Sequence, residues 1–337
     1  MFIDGNYFLQ ASSTLKNQVR QVAESGVPVF IFGGQPTSLT STLGSIPYAL
    51  VSTETLGGAN TAISNEAFGF YINPHHLVGG KPFVTQFTLT GGDLSTAMSM
   101  AHSWALNQKA SSSATTSILC CSGGGGGGAY WNQDGFSFTW YMNECPHGWQ
   151  NIVDTFYTLV NGPSGQTYKT EEIQQQGLPG NSASANCGNT NWYNWNWETS
   201  IYVNAIQSGV TLNQYEPTSS FTQGTTTLTI TTAAIGISWS FPNGDNTPQD
   251  QSNFGTQLAQ WQMQTDCHSG CNGPSSMMSN TFNFQPGLEI YIASSGASWN
   301  TQQNYDLTWV NGAGWCGWWC GGGSTFTIAG QANMYGV

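Results

Sequence analysis

Six consecutive glycines at residues 123–128, directly after Cys120-Cys121-Ser122, separate two unlike parts of the sequence. Glycine has no side chain to pack, and ordering it costs more backbone entropy than ordering any other residue. A run of this kind is either a flexible connector or backbone that lies close against another surface. Because two adjacent cysteines can tether the segment to a fold, we interpret residues 120–129 as a pinned junction.

Before the junction, apolar periodicity predicts an α/β-like part at residues 1–119. A short apolar run at residues 2–8 precedes a helix whose apolar face consists of Leu15, Val19, Val22 and Ala23. Gly26 and Pro28 end that helix, and residues 29–32 follow as a continuously apolar strand. This order predicts a βαβ unit with a parallel strand pair. Asp93 caps a second predicted helix, whose inward face is expected to be Leu94, Ala97, Met98, Ala101 and Ala105.

After the junction, one strand-like run follows another. They occur at residues 136–141, 152–160, 166–174, 192–204, 225–231 and 235–241, and in further short runs up to residue 328. We therefore predict a mostly β, α+β protein. A small N-terminal α/β part that contains the βαβ unit is followed by a larger, disulfide-stapled antiparallel β-sandwich-like part at residues 130–337. The second part is long enough for two packed β modules.

The scarcity of charge limits the possible partners. Only 7% of the residues are charged, and 5 Lys and Arg stand against 17 Asp and Glu, which gives a net charge of −12 at pH 7. A chain this acidic has no surface that could follow a phosphate backbone, so we expect no nucleic-acid partner. At about pH 2–3 most carboxylates are neutral and little self-repulsion remains. The composition indicates a fold adapted to acidic surroundings, or an ordinary secreted protein with a neutral surface.

The cysteine count points to an oxidising environment. Eight cysteines form an even set, which in an exported protein predicts up to four disulfides. Cys267–Cys271 and Cys316–Cys320 are candidate local bridges. Their C-x3-C spacing differs from the C-x2-C spacing of zinc ribbons, so neither a metal site nor a cofactor is expected. The full set of candidates is Cys120, Cys121, Cys145, Cys187, Cys267, Cys271, Cys316 and Cys320.

An aromatic segment at residues 192–198 is the most conspicuous side-chain pattern. On a regular strand Tyr193, Trp195 and Trp197 share one face, and such a row can stack on sugar rings beside hydrogen-bonding amides. The same row can equally belong to a sheet core or to a subunit contact. A second Trp-rich stretch at residues 314–323 predicts a disulfide shielded by indole rings, or an anchor for a partner.

No catalytic signature occurs in the sequence. G-x-S-x-G and H-E-x-x-H are both absent. A pair of carboxylates could still serve glycosidase or acid-protease chemistry. The acids considered for such a pair are Asp4, Glu54, Glu66, Asp134, Glu144, Glu171, Glu172, Glu198 and Asp266.

These observations favour a structural role over an enzymatic one. We expect an extracellular or cell-surface subunit that self-associates into a homopolymer, as in a surface filament, a surface layer or a capsid-like assembly. No run of about 18 apolar residues is present, so no membrane span is expected. A secretion signal is expected to be already removed or to lie outside the numbering. The alternative is a secreted protein that binds or cleaves carbohydrate through the aromatic strand and a carboxylate pair.

Overall fold

The structure, a computed structural model, describes residues 1–33, 36–44, 46–56, 65–111, 128–163, 166–182, 185, 187–188, 190–205, 209–219, 224–232, 234–243, 248–264, 281–293, 299–311 and 324–335. The first five glycines of the junction, the Trp-rich stretch at 314–323 and six of the eight cysteines lie outside these ranges. Both candidate local bridges, Cys267–Cys271 and Cys316–Cys320, belong to that set. Among the helices within the ranges, none has the length and apolar character needed to cross a membrane.

The N-terminal residues form the predicted βαβ unit. Strand β1 (Phe2–Asp4) leads through helices α1 (Gly5–Leu9) and α2 (Ser13–Glu24) into β2 (Val29–Phe32), which pairs with β1 in parallel. The Asp4 carboxylate accepts a hydrogen bond from the Tyr7 amide at 3.0 Å, and the Ser12 hydroxyl accepts one from the Leu15 amide at 3.3 Å. These side chains satisfy amides that a helix start leaves without a partner. Helix α3 (Pro36–Leu43) follows.

The larger of two main sheets spans both sides of the junction. It contains β1, β2, β4 (Asn65–Val78), β5 (Lys81–Thr90), β6 (Tyr130–Asn143), β7 (Gly148–Val160), β8 (Thr167–Pro179), β16 (Gly287–Ile292) and β10 (Val210–Glu216), in that spatial order, and β15 (Phe282–Phe284) pairs with β8. The pairs β1–β2 and β5–β6 are parallel and the other pairs are antiparallel. Because β5 precedes the junction and β6 follows it, the two predicted parts share this sheet. Their division into separate domains stays a prediction.

A six-stranded antiparallel sheet covers one face of the first. Its order is β13 (Gln249–Asp250), β14 (Leu258–Gln264), β9 (Trp192–Ala205), β17 (Trp299–Asn311), β18 (Thr325–Tyr335) and β3 (Tyr48–Leu56). Strand β3 therefore leaves the N-terminal strands and pairs with β18, from Leu56 opposite Thr327 to Tyr48 opposite Tyr335. A continuous apolar core between the two sheets contains Phe138, Ile152, Ile201 and Leu307. The predicted mostly β, sandwich-like fold is confirmed.

Large indole rings meet glycines where the two sheets touch. A Cβ built on Gly177 of β8 would overlap the six-membered ring of Trp197 on β9. A Cβ built on Gly330 of β18 would come within 2.9 Å of the Trp140 ring on β6. Glycine lets the opposite ring lie against the backbone, so these contacts fix how the sheets are stacked.

Helix α4 (Leu94–Ser111) begins after Asp93 as predicted, and the Asp93 carboxylate accepts a 2.7 Å hydrogen bond from the Thr96 amide. Its buried face agrees with the prediction at Ala97 and Ala101, with Ala105 half-buried against the same cluster, and differs at Leu94 and Met98. Ala97, Ala101 and Trp104 form that face and join a second cluster with Phe30 and Phe87. Leu94 and Met98 are 56% and 42% exposed, because the stripe that ends in Trp104 points them away from the sheet.

One disulfide lies within the described residues. Cys145 and Cys187 are bridged, with their Cα atoms 5.2 Å apart and a sequence separation of 42. The bridge joins the loop between β6 and β7 to the loop before β9. It confirms in part the prediction of a disulfide-stapled β part.

Candidate functional site

Two strands form a sheet of their own outside the two main sheets. Strands β11 (Gly224–Thr232) and β12 (Ile235–Asn243) pair antiparallel along their whole length, from Thr232 opposite Ile235 to Gly224 opposite Asn243. Each strand has nine residues, and residues 224–243 contain no charged side chain. We call this pair the hairpin.

The hairpin has one hydroxyl face and one apolar face. Cross-strand hydroxyl pairs line the solvent side: Thr227 Oγ1 and Ser240 Oγ are 2.7 Å apart, and Thr229 Oγ1 and Ser238 Oγ are 2.8 Å apart. The opposite side is apolar and buried, because successive residues of a strand point to opposite faces. Its apolar residues are Leu228, Ile230, Ile237, Trp239 and Phe241.

The apolar face lies on the outer side of the larger sheet. It packs against Trp131, Tyr157 and Leu159 of β6 and β7. The Trp239 ring lies over Gly287, where a Cβ would be 2.6 Å from the indole. Trp239 Nε1 donates to the Gln285 carbonyl at 2.8 Å, and Trp131 Nε1 donates to the Ile235 carbonyl at 3.3 Å.

Two carboxyl groups are buried at this contact. The Thr232 hydroxyl donates to Oε2 of Glu289, and Asn213 Nδ2 and Gln214 Nε2 donate to its Oε1 at 2.5 and 3.2 Å. Glu172 Oε2 accepts from the Tyr157 hydroxyl at 3.2 Å. Burial raises the pKa of both carboxyls above the ordinary glutamate value, although the hydrogen bonds oppose this by favouring the charged form.

A second acidic pair lies between the main sheets. Gln303 Nε2 of β17 donates to Asp154 on β7 and to Glu171 on β8, and the Tyr305 hydroxyl donates to Gln303 Oε1 at 2.6 Å. Both carboxyls are fully buried. Burial raises the pKa of Glu171 to about 7. Burial, and then repulsion from Glu171, raise the pKa of Asp154 well above its ordinary value. The pair is closed to solvent, so it bears on stability and is out of a substrate's reach.

The predicted acids are brought together only in part. Of the nine considered, Glu171 and Glu172 lie beside each other on β8 but point to opposite faces of the sheet. Asp154, the nearest carboxyl to Glu171, was missed. Its signal was the alternation Ile152, Asp154, Phe156, which puts an acid on an apolar face. Within the described parts of the chain, no three His, Cys, Asp or Glu side chains are grouped as metal ligands.

The three aromatic residues predicted to share a face do not form a row. The pairing of β9 with β17 shifts between Trp309, opposite Asn194, and Thr308, opposite Asn196, so Trp195 is the extra residue of a β-bulge. Trp197 is buried, while Tyr193 and Trp195 are half-buried. A bulge changes the alternation of side chains, and this explains the departure from the predicted pattern.

Comparison with known proteins identifies no family. No family model matches the chain, and no curated protein does. Solved structures that are similar include "Pore forming protein" (8% identity, TM-score 0.35, 62% of this chain and 88% of that chain) and "Clostridium perfringens delta-toxin" (9%, 0.35, 62% and 93%). A third is the Clostridium perfringens NetB toxin in its membrane-inserted form (5%, 0.31, 62% and 92%).

These matches correct the functional expectation drawn from the sequence. The similar structures are a pore-forming protein and two toxins, so the predicted filament, surface-layer or capsid-like subunit is wrong, and so is its carbohydrate alternative. TM-scores of 0.31–0.35 transfer no activity to this chain. A function must therefore be argued from its own residues.

Proposed function

We propose that the protein acts on membranes, with several copies inserting the hairpin β11–β12 into a lipid bilayer. The single observation behind this proposal is the uncharged hairpin with one hydroxyl face and one apolar face. It lies outside the two main sheets, so it can leave them without breaking their ladders of backbone hydrogen bonds.

The dimensions and pattern of the hairpin suit a bilayer. A strand that crosses the hydrocarbon needs about 9–11 residues and alternates lipid-facing apolar with water-facing polar side chains. Strands β11 and β12 have nine residues each and follow that alternation. A charge on the lipid side would cost about 2–4 kcal/mol at the bilayer centre, and the hairpin has none.

Insertion requires several copies. Two strands alone would leave backbone N–H and C=O groups along both outer edges without partners, and hydrocarbon cannot supply them. Release of the hairpin also uncovers Trp131, Tyr157 and Leu159, which adjacent copies can bury. Self-association is thus part of the proposal. So is an extracellular location, which the Cys145–Cys187 disulfide favours.

A charge on the hydroxyl face tests the proposal directly. Ser238 is exposed, so Ser238→Lys and Ser238→Asp leave the soluble fold intact but place a charge on the water side of the inserted hairpin. Rings of charged side chains set ion selectivity. We expect conductance in planar bilayers from both variants, with an anion-to-cation permeability ratio that differs between them by roughly tenfold.

Ser103→Lys is the matched control, because Ser103 is also exposed but lies on α4. Its selectivity should equal that of the wild type. If wild-type protein gives no conductance and no dye release from vesicles at any pH, the proposal fails. It also fails if the Ser238 and Ser103 substitutions change selectivity alike.

A further inference from the structure

The surface beneath the hairpin has an unusual composition. Glu172 and Glu289 are 6% and 0% exposed and lie on the outer face of β8 and β16. Their register places Glu172 opposite Gly287 and Glu289 opposite Thr170, so the two carboxyls are diagonal neighbours. The residues between them on the same strands, including Glu171 and Leu288, face the core instead. The apolar face of the hairpin thus lies over the carboxyl groups of Glu172 and Glu289.

The groups that face these carboxyls are tyrosine hydroxyls, amides and one further carboxyl, that of Glu216. Tyr157, Tyr168 and Tyr291 are the titratable side chains on this face of β7, β8 and β16. Strand β10 supplies the amides of Asn213 and Gln214 and the carboxyl of Glu216, which lies opposite Gly287 on the same face, and the hairpin supplies uncharged residues only. The one direct bond from the hairpin to either carboxyl comes, within the described residues, from the Thr232 hydroxyl. Gln214 Nε2 also donates a hydrogen bond to the Thr231 carbonyl at 2.9 Å.

We propose that Glu172 and Glu289 form a pH-dependent latch, which holds the hairpin on the body when protonated and releases it when ionised. The inference rests on the proposed function only for the effect that a released hairpin has on a membrane, because docking of the hairpin on the body can be measured in solution. It assigns the direction of regulation: the hairpin is held in acid and freed toward neutral pH.

The direction follows from solvation. A carboxylate under the docked hairpin is cut off from water, whereas an undocked hairpin lets water reach it, so ionisation favours the undocked state. Burial raises the pKa of both groups in the docked state. By linkage, docking is strongest below the ordinary glutamate pKa and weakens as the pH rises through the raised values. Each unit by which the pKa of a carboxyl differs between the docked and undocked states shifts the docking equilibrium about tenfold.

Dye release from phosphatidylcholine vesicles tests the latch, since this lipid keeps its net charge from about pH 3 to pH 8. We expect wild-type release to rise at least about tenfold over that range. The double variant Glu172→Gln/Glu289→Gln has no carboxyl to ionise and should stay slow throughout. Glu24→Gln, an exposed acid on α2 far from the hairpin in sequence, should behave as the wild type.

Hydrogen exchange, corrected for the intrinsic pH dependence, separates the latch from membrane activity. Amides of β11 and β12 should lose protection toward pH 7 in the wild type before those of β9 and β17, and keep it in the double variant. Such exchange without dye release would support the latch and refute the proposed function. Release that has the same pH profile in wild type and variant, or that is fastest at pH 3, would overturn the latch. If the double variant does not fold, the two single variants answer the question.

Discussion

Raising the pH from about 4 to about 7 is expected to lower the free energy of unfolding by on the order of 3 kcal/mol through Glu171 alone. This carboxyl is fully buried between the sheets, and its pKa is raised to about 7. The folded state therefore keeps a proton that the unfolded chain gives up near pH 4.5. The stabilisation is complete below that pH and is lost progressively up to about pH 7. Asp154 adds to the effect in the same direction.

Urea unfolding at a series of pH values measures this change. Glu171→Gln keeps the shape and the contact with Gln303 but cannot ionise, so its stability should vary less with pH; Asp154→Asn is the second such variant. Glu24→Gln, whose partner is the half-exposed Arg20, should leave the wild-type profile unchanged. The expected acid tolerance follows, with near-UV circular dichroism retained at about pH 2–3. Stability that increases from pH 4 to pH 7 would contradict the assignment.

Gly177→Ala is expected to destabilise the fold by about 3 kcal/mol or more, at the upper end of overpacking effects. The added methyl group would overlap the Trp197 ring, which is buried. Gly177 pairs with Gln150 on one side and Phe282 on the other, so its backbone cannot move away without distorting two strand pairs. Thermal unfolding followed by the tryptophan signal would report the loss.

Two comparisons make this result specific. Gly135→Ala changes a glycine in β6 where the nearest atom to a Cβ is 3.8 Å away, so its unfolding temperature should stay close to that of the wild type. Trp197→Leu removes the clashing ring, so Gly177→Ala should cost less in that background than in the wild type. Equal costs in both backgrounds would show that the ring is not the cause.

Local pattern was enough to predict the regular parts of the fold. The βαβ unit was predictable because its helix stripe, its stop at Gly26 and its apolar strand lie within one short segment. Both strands of the hairpin were also predicted, at residues 225–231 and 235–241, within two residues of their observed ends. Their position on the outer face of the larger sheet depends on contacts with β6, β7 and β16, which local periodicity does not contain.

The departures have physical causes that act over longer distances. The bulge at Trp195 is set by pairing with β17, more than a hundred residues later, so strict alternation assigned the aromatic faces wrongly. The buried face of α4 is fixed by Trp104 packing on Phe30 and Phe87, which outweighs Leu94 and Met98. The Asp154–Glu171 pair is bridged by Gln303 from a third strand, so no motif within one stretch of the sequence could predict it.

The pairing of β3 with β18 has a consequence for how the chain is synthesised. Strand β3 leaves the ribosome before the other described strands of its sheet, while its partner β18 emerges after all of them. Until then its edge stays open, and contacts between such distant segments form slowly because a very long loop must close first. The six-stranded sheet therefore cannot be completed before β18 has been synthesised. During that interval the nascent chain exposes an unpaired strand of the kind that binds chaperones or aggregates.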